Sequence, residues 1–145
     1  MKKFLAIAFS ALLALSLVAC GGGKKDGVYT AKVDANYAAE AGHGWTDQLT
    51  VTYKDGKITE AVFDSINAEG TIKSQTTPET YPMEFHPTEW IPQLGVGIVA
   101  AQTADKVEVV AGATHASEAA KALLAGIEKD GKPGETIIVT IPVTA

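Results

Sequence analysis

The sequence contains no arginine and only one cysteine, and these two absences exclude several classes of function. Without guanidinium groups, the chain lacks the planar donors that capture phosphate in a bidentate manner. Its twelve lysines are outnumbered by seventeen acidic residues, which gives a net charge of −5 at pH 7. Nucleic acid is therefore not expected as a partner, because binding it requires a basic surface. A single cysteine allows neither an internal disulfide nor a multi-cysteine zinc site.

The longest apolar run is shorter than a typical transmembrane helix. It covers residues 4–19, is broken only by two serines, and follows Lys2 and Lys3. A transmembrane helix needs roughly 20 apolar residues. A basic start followed by a short apolar run is typical of a signal peptide, so we assign residues 1–19 to a signal peptide.

The end of this run has the form of a lipidation site. Leu17-Val18-Ala19-Cys20 precedes three glycines and resembles the lipobox of bacterial lipoproteins, in which cleavage leaves the cysteine as the new N-terminus and its sulfur takes up diacylglycerol. The resemblance implies lipidation at Cys20, with acyl chains such as palmitate, and anchoring at the extracytoplasmic face of the cell membrane. Each buried methylene of an acyl chain adds roughly 0.8 kcal/mol to the anchoring. A plain secretory signal with an incidental cysteine is the alternative.

The remainder is expected to form one domain. Residues 20–25 comprise the lipidated cysteine and a flexible tether, and residues 26–145 are enough for a modest core. From Cys20 onward, ten lysines face seventeen acids, a net charge of −7. Attraction to anionic lipid is therefore not expected.

Hydrophobic periodicity and turn signals predict an α+β domain with a mainly antiparallel sheet, one β-hairpin and two helices. The Asp55-Gly56 pair between two alternating runs is a strong hairpin signal, because the turn needs positive φ at its centre. In chain order, the pattern predicts a strand at 27–33, a loop at 35–44, the hairpin at 49–66, an irregular segment at 67–87, a helix at 89–103, a strand at 107–110, a helix at 117–128 and a strand at 136–143.

A small-residue turn before the last predicted helix is the candidate functional site. Gly112 has no side chain to block a ligand, and the free amides at the start of a helix suit a phosphate. The Thr114 hydroxyl would face that phosphate, and His115 could donate a hydrogen bond to it. The structural alternative is that Thr114 is a helix N-cap and Gly112 simply makes the turn.

Five segments occur in a particular order along the chain: the hairpin at 49–58 and, around it, Asp26-Gly27-Val28-Tyr29-Thr30, Gly42-His43-Gly44-Trp45, Trp90-Ile91-Pro92-Gln93-Leu94 and residues 110–117. Together they resemble the FMN-binding domains, including the small lipoproteins known as major membrane immunogens and the flavin subunits of sodium-pumping NADH:quinone oxidoreductases. The similarity covers nearly all of the chain after the signal peptide.

The resemblance implies FMN as cofactor and a flavin transferase as partner. In that family, the transferase uses FAD to attach FMN through its phosphate to the threonine of a Gly-Ala-Thr element: the pyrophosphate of FAD is cleaved, AMP leaves, and a phosphoester forms on the threonine, which here is Thr114. The cofactor-binding residues implied for this sequence are Gly112, Ala113, Thr114, His115 and Ser117.

Two positions depart from the family's covalent motif. That motif usually has an aspartate six residues before the threonine and a serine or threonine three residues before it, whereas this sequence has Glu108 and Ala111. Glutamate is longer by one methylene, and alanine offers no hydroxyl. Both covalent FMN at Thr114 and non-covalent FMN at the same turn therefore stay open.

Aromatic and histidine side chains are the remaining candidates. Trp45, Tyr81, Phe85 and Trp90 could flank a flavin ring, although most such residues in a domain of this size belong to the core. The spacings of His43, His86 and His115 differ from those of metal-ligand pairs, so no metal is expected.

The leading hypothesis from the sequence is a membrane-anchored electron-transfer module, with redox partners on either side. A flavin carries the electron chemistry itself, so the protein needs no catalytic acid or base of its own. We find no arrangement of nucleophile and base, so a stand-alone enzyme is not favoured. The alternative is a non-redox lipoprotein that binds a small ligand or acts as a surface antigen.

Overall fold

The computed structural model describes residues 24–143. The predicted signal peptide, Cys20 and most of the tether lie outside these described residues. Among the helices of residues 24–143, none combines the length and hydropathy that crossing a membrane requires.

A four-stranded sheet forms the centre of the domain, in the order β3-β2-β1-β4. The strands β1, β2 and β3 are antiparallel neighbours, whereas β4 runs parallel to β1. The predicted α+β fold with a mainly antiparallel sheet is confirmed. The strand bounds are Gly27–Val33 for β1, Thr46–Lys54 for β2, Lys57–Ile66 for β3 and Thr136–Val139 for β4.

The predicted hairpin is formed by β2 and β3. Asp55 and Gly56 have φ values of 52° and 78°, which is the pair of positive angles that a two-residue hairpin turn requires. The carboxylate of Asp26 fixes this turn, because its Oδ1 accepts a hydrogen bond from the Asp55 amide at 2.8 Å. The hairpin therefore lies at the end of the sheet where β1 begins.

One face of the sheet is buried under two long helices, which we number α2 (Pro87–Ala101) and α3 (Thr114–Asp130). Side chains alternate between this buried face and an open face, as the period of two dictates. Burying each large apolar side chain stabilises the fold by about 1.5–3 kcal/mol. The largest fully buried apolar side chains include Tyr29, Leu49, Val51, Phe63, Leu94, Ile98, Leu123, Leu124 and Ile127.

The loop predicted at 35–44 is wrong in its first half, because a short helix, α1, spans Ala35–Glu40. Asp34 caps this helix by accepting a hydrogen bond from the Tyr37 amide at 2.8 Å, as an N-cap aspartate does. Tyr37 and Ala38 are buried beneath it. Tertiary packing of these two residues stabilises a helix that is too short to be marked by periodicity.

Helix α2 confirms the prediction for 89–103, with its start two residues earlier. His86 caps the helix, and Pro87 occupies the first turn. The N–H that proline lacks would have no hydrogen-bond partner within the helix at this position. Gly95 lets the helix lie close to the sheet, because a Cβ at that position would clash with the Ala61 carbonyl oxygen. The helix ends at Ala101, and the side-chain amide of the C-cap residue Gln102 pairs with both the amide and the carbonyl of Ile58 at 2.8 Å.

The strand predicted at 107–110 is wrong. This segment lies outside the sheet, whose edge beside β1 is taken by β4. The Val110 amide donates to the Ser117 hydroxyl at 2.9 Å rather than to a neighbouring strand. A run of β-branched residues indicates an extended backbone, but pairing requires a free strand edge at the right place.

Two further boundaries differ from the prediction. Helix α3 begins at Thr114, three residues before the predicted 117, and it ends at Asp130. Strand β4 ends at Val139, whereas the sequence predicted a strand to residue 143. The irregular segment predicted at 67–87 holds up to residue 86, apart from a 3₁₀ turn at Lys73–Gln75, because Pro87 already begins α2.

Candidate functional site

Hydrogen bonds from Ser117 hold the turn that leads into α3. The Ser117 hydroxyl accepts from the Val110 amide at 2.9 Å and donates to the Ala113 carbonyl at 2.7 Å. The turn is closed by the Ala113 amide, which donates to the Val110 carbonyl at 2.9 Å. Ser117 is 2% exposed, and its hydroxyl is engaged within the protein. Its position therefore supports the turn from inside rather than presenting a hydroxyl at the surface.

Gly112 is required by the protein's own packing. Its φ is +85°, and a Cβ there would lie 2.7 Å from Cδ1 of Phe85. The side of Gly112 that a side chain would use thus faces the Phe85 ring. The neighbouring Ala111 and the glycine itself are otherwise exposed.

Thr114 and His115 are both exposed at the start of α3. The cap residue of the helix is Ala113, which makes no side-chain capping hydrogen bond, so the interpretation of Thr114 as an N-cap is wrong. Thr114 is instead the first helical residue, and it is exposed. The first amides of a helix have no intrahelical partner and carry the positive end of the helix dipole. This end of α3 can therefore accept an anion.

The ring of His115 stacks on the ring of Tyr37, with 6.0 Å between centroids and an interplanar angle of 12°. Tyr37 belongs to α1, so this contact connects the turn to the end of the sheet where β1 ends. Burial raises the pKa of the Tyr37 hydroxyl, and the negative charges of Asp47 and Glu118 raise it further. The Tyr37 side chain is therefore uncharged, and its aromatic ring packs against the ring of His115.

Asp47 is a buried acid at the start of β2. It pairs across the sheet with Ser65 of β3, and the Ser65 hydroxyl donates to Asp47 Oδ1 at 2.5 Å. Burial raises the pKa of the Asp47 carboxyl, while the Ser65 hydrogen bond and the charges of Lys73 and His115 oppose that rise. Asp47 therefore lies within electrostatic reach of both the turn and a buried lysine.

That lysine, Lys73, covers two aromatic rings. Its Nζ lies 4.8 Å from the ring centroid of Trp45 and 5.5 Å from that of Tyr81, which are favourable cation–π distances. Lys73 is 8% exposed. Burial lowers the pKa of its ammonium group, and the carboxylates of Asp47 and Asp64 oppose the change.

The aromatic residues proposed to flank a ring have separate roles. Trp45 and Tyr81 pack edge to face at 5.8 Å beneath Lys73, and Phe85 packs on Gly112. Trp90 is 4% exposed and belongs to the core. Of the two interpretations of Trp90, a core residue or a flank for a flavin ring, the first is therefore correct.

The three histidines also have different surroundings. His86 Nδ1 lies 2.9 Å from the Thr88 hydroxyl at the cap of α2, and the buried His86 Nε2 has no hydrogen-bond partner. His43 is exposed in a turn with φ of 53°. Within residues 24–143, no group of three or more His, Cys, Asp and Glu side chains could hold a metal ion.

An open groove of about 530 Å³, which we call the α2 groove, lies beside the turn. It is bounded by the outer face of α2 and by residues 108–111. Both positions that depart from the covalent motif, Glu108 and Ala111, line this groove. The departures therefore alter one continuous surface next to Thr114.

Sequence reasoning missed four residues of this region: Tyr37, Asp47, Ser65 and Lys73. Two of them carried a signal, because Asp47 and Ser65 occupy the inward positions of the alternating strands β2 and β3. A polar residue at a core position of a strand is informative in itself. Lys73 lies in an irregular segment, where periodicity provides no guide.

No protein-family model matches the chain. The 15 kDa lipoprotein of Treponema pallidum (strain Nichols) is 29% identical over 132 residues, which cover 88% of this chain and 91% of that protein. The CPE2226 protein of Clostridium perfringens, known from a crystal structure, is 30% identical and matches with a TM-score of 0.70, covering 82% of this chain and 99% of the other. At this identity and coverage, the chain belongs to the same family as the clostridial protein.

Proposed function

For this member of the clostridial protein's family, we propose, from its likeness to a spirochaete lipoprotein, that the chain is itself a lipoprotein anchored through Cys20 at the extracytoplasmic face of the cell membrane. The Leu17-Val18-Ala19-Cys20 segment supports this anchor. The name of the 15 kDa lipoprotein supports it independently.

We further propose that the anchored domain binds FMN at the turn before α3 and transfers electrons between redox partners. The observation that carries this proposal is the exposed residue Thr114 at the N-terminus of a 17-residue helix. A helix start of this kind favours a phosphate. His115 is exposed beside it and offers a ring nitrogen to the same phosphate.

The residues of the turn fit the phosphate end of FMN. Thr114 and His115 would hold the phosphate, while Gly112, Ala113 and Ser117 would keep the turn in shape. Ser117 does so through its two hydrogen bonds to the turn's backbone. FMN, when bound, supplies the electron-accepting and electron-donating ring. The protein's contribution is to bind the phosphate, orient the ring and restrict water.

The full chain, produced together with a flavin transferase, provides the test. The wild-type protein should be yellow, and the peptide that contains Thr114 should gain the mass of FMN less one water. Thr114→Ala should remove this covalent mass, because no hydroxyl is left to form the phosphoester. Thr114→Ser, which keeps the hydroxyl, is the matched control and should retain it.

A non-redox lipoprotein that binds another small ligand is the second candidate, favoured by Glu108 and Ala111. These two residues replace the usual aspartate and hydroxyl residue of the covalent motif and line the α2 groove. Wild-type protein that neither gains the FMN mass nor binds added FMN would reject the flavin proposal and leave this candidate.

A further inference from the structure

The residues that follow the proposed anchor are fastened to the domain at the end of the sheet where β1 begins. The Tyr29 hydroxyl donates to the Lys25 carbonyl at 2.7 Å. The Lys24 ammonium donates to the Gly131 carbonyl at 3.1 Å. Contacts between the chain and the rest of the domain are therefore in place from Lys24, which is four residues after Cys20.

The stretch of chain between the anchor and these contacts is short. Extended backbone spans at most about 14 Å over the four residues from Cys20 to Lys24. A lipidated Cys20 would thus keep this end of the domain close to the lipid surface. The opposite end is farther away, because α3 runs from Thr114 to Asp130, and a helix of that length spans about 25 Å.

Four segments meet at the end of the domain next to the anchor, which we call the hairpin end: residues 24–26, 54–57, 104–106 and 128–135. Asp26 joins the first segment to the hairpin turn by accepting a hydrogen bond from the Asp55 amide at 2.8 Å. The Glu128 carboxylate joins the end of α3 to the third segment by accepting from the Ala104 amide at 3.0 Å. The contact with Gly131 joins the last segment to the first.

The charges of the chain are divided unevenly between the hairpin end and the rest. The hairpin end contains seven of the ten lysines that follow Cys20 and six of the seventeen acidic residues, a net charge of +1. The other described residues contain three lysines and eleven acidic residues, a net charge of −8. The net charge of −7, from which the sequence predicts no attraction to anionic lipid, is thus the sum of a weakly positive end and a strongly negative remainder.

The lysines of the hairpin end are presented to solvent. Two lie in each of the segments 24–26, 54–57 and 128–135, one lies in 104–106, and all except Lys24 are exposed. Lys54 and Lys57 lie directly opposite each other across the hairpin. Like charges in directly opposite positions destabilise a sheet. A negatively charged surface beside the turn would relieve this repulsion.

We propose that the hairpin end docks on the anionic lipid headgroups of the membrane that holds Cys20. This inference rests on the proposed anchor and adds the orientation of the domain. Lysines close to an anionic surface are attracted to it, whereas the acidic remainder of the domain is repelled. Both effects direct the hairpin end toward the lipid. The start of α3, with the exposed Thr114, then lies on the side that faces away from the membrane.

Spin labels on the full lipidated chain test this orientation. The chain has one cysteine, Cys20, which carries the acyl chains, so an added cysteine supplies the free thiol for labelling. Thr59→Cys places the label next to the hairpin end, and Ala39→Cys is the matched exposed site on α1 at the opposite end. A trace of lipid with a Gd³⁺-chelating headgroup shortens the relaxation time of labels near the surface.

The expected result depends on lipid charge. In vesicles of phosphatidylcholine and phosphatidylglycerol, relaxation should be faster at position 59 than at position 39. The difference should shrink in vesicles of phosphatidylcholine alone, because these lack the anionic headgroups. High salt should shrink it as well, since salt screens charges at a surface. The salt measurement uses no substitution of a lysine and so does not depend on how such a variant folds.

A pair of charge variants identifies the docking face. Lys54→Gln/Lys57→Gln removes two lysines from the hairpin end, whereas the control Lys32→Gln/Lys121→Gln removes two from elsewhere with the same change in net charge. Each lysine near an anionic surface favours docking by about fivefold, so the first variant should lower the ratio of docked to undocked domain by up to about 25-fold. The control should keep the difference between the two labels.

The possible results separate this inference from the proposed anchor. Acylated protein that floats with the vesicles but relaxes equally at both labels would overturn the docking and leave the anchor intact. Protein that carries no acyl mass at Cys20 and does not float would overturn both. Equal losses in the two charge variants would show that net charge rather than the hairpin end attracts the lipid, and would overturn the docking face.

Discussion

The ring of Phe85 lies where a side chain at position 112 would have to go. A Cβ built on Gly112 would approach Phe85 Cδ1 to 2.7 Å, and the backbone there has a φ of +85°. Two independent reasons therefore require glycine at position 112: the positive φ of its backbone and the lack of room for a Cβ beside Phe85. The contact also joins the turn before α3 to the segment before α2, which are far apart in the sequence.

We expect Gly112→Ala to destabilise the protein more than the same change at Gly134. Both glycines have positive φ, but a Cβ at Gly134 would meet nothing within 4 Å. Gly134→Ala should therefore cost about 1–2 kcal/mol of unfolding free energy, from backbone strain alone. Gly112→Ala should cost about 1–3 kcal/mol more, because it also overpacks against Phe85.

Urea denaturation followed by circular dichroism measures this difference. The double variant Gly112→Ala/Phe85→Ala removes the clash, so the penalty specific to position 112 should largely disappear in the Phe85→Ala background. Equal losses for Gly112→Ala and Gly134→Ala would show that Phe85 does not constrain the turn.

We expect Ser117→Ala to loosen the turn before α3. Loss of the hydroxyl leaves the partly buried Val110 amide without its acceptor, which should cost about 1 kcal/mol, the lower end of the range for an unsatisfied donor. Thr59→Ala is the control, because the Thr59 hydroxyl is exposed and its hydrogen bond to Thr52 is long, at 3.4 Å. Hydrogen exchange at the Val110 amide should accelerate in Ser117→Ala. Unchanged exchange would contradict the role of Ser117 as the clamp of this turn.

We expect Asp47 to make the protein less stable as the pH rises. Burial raises the pKa of its carboxyl above the ordinary value of 3.8, so the folded state binds its proton more tightly than the unfolded state does. Between 3.8 and the raised pKa, Asp47 therefore subtracts stability as pH increases. Asp47→Asn, which keeps an acceptor for Ser65, removes this contribution.

The measurement is the difference in unfolding free energy between wild type and Asp47→Asn across that pH range. The wild type should lose stability relative to the variant as the pH rises through it. Asp130→Asn removes an exposed carboxylate at the end of α3 and is the control for the change in net charge. A wild-type protein that gained stability relative to Asp47→Asn would contradict the assigned direction of the pKa.

The elements that the sequence predicted well are those set by neighbours in the chain. Asp55-Gly56 specifies its own hairpin, because both residues tolerate positive φ, and the alternation of β2 and β3 follows from a single buried face. Helix α1 was missed because its stability depends on burying Tyr37 and Ala38 rather than on length. The segment at 107–110 was assigned wrongly as a strand because no local pattern reveals that β4 takes the edge beside β1.

The residues of the candidate site fall into the same two groups, those that local sequence identifies and those that only tertiary packing brings together. Gly112, Thr114 and His115 could be identified from the sequence, because a glycine turn feeding a helix start is a local feature. The stacking of Tyr37 on His115 and the position of Lys73 over Trp45 join residues from separate elements. Such contacts depend on how the elements pack, and a single sequence does not contain that information.

The sequence by itself determined the acidic charge, the lipidation motif, the hairpin and the small-residue turn before α3, since each depends on residues that are close together in the chain. Only the tertiary structure decided that β4 pairs parallel to β1, that Phe85 rather than a ligand faces Gly112, and that an open groove lies between α2 and the turn. The physical reason is that these relationships arise from burying apolar surface between distant segments, which compete for the same edges and faces of one sheet.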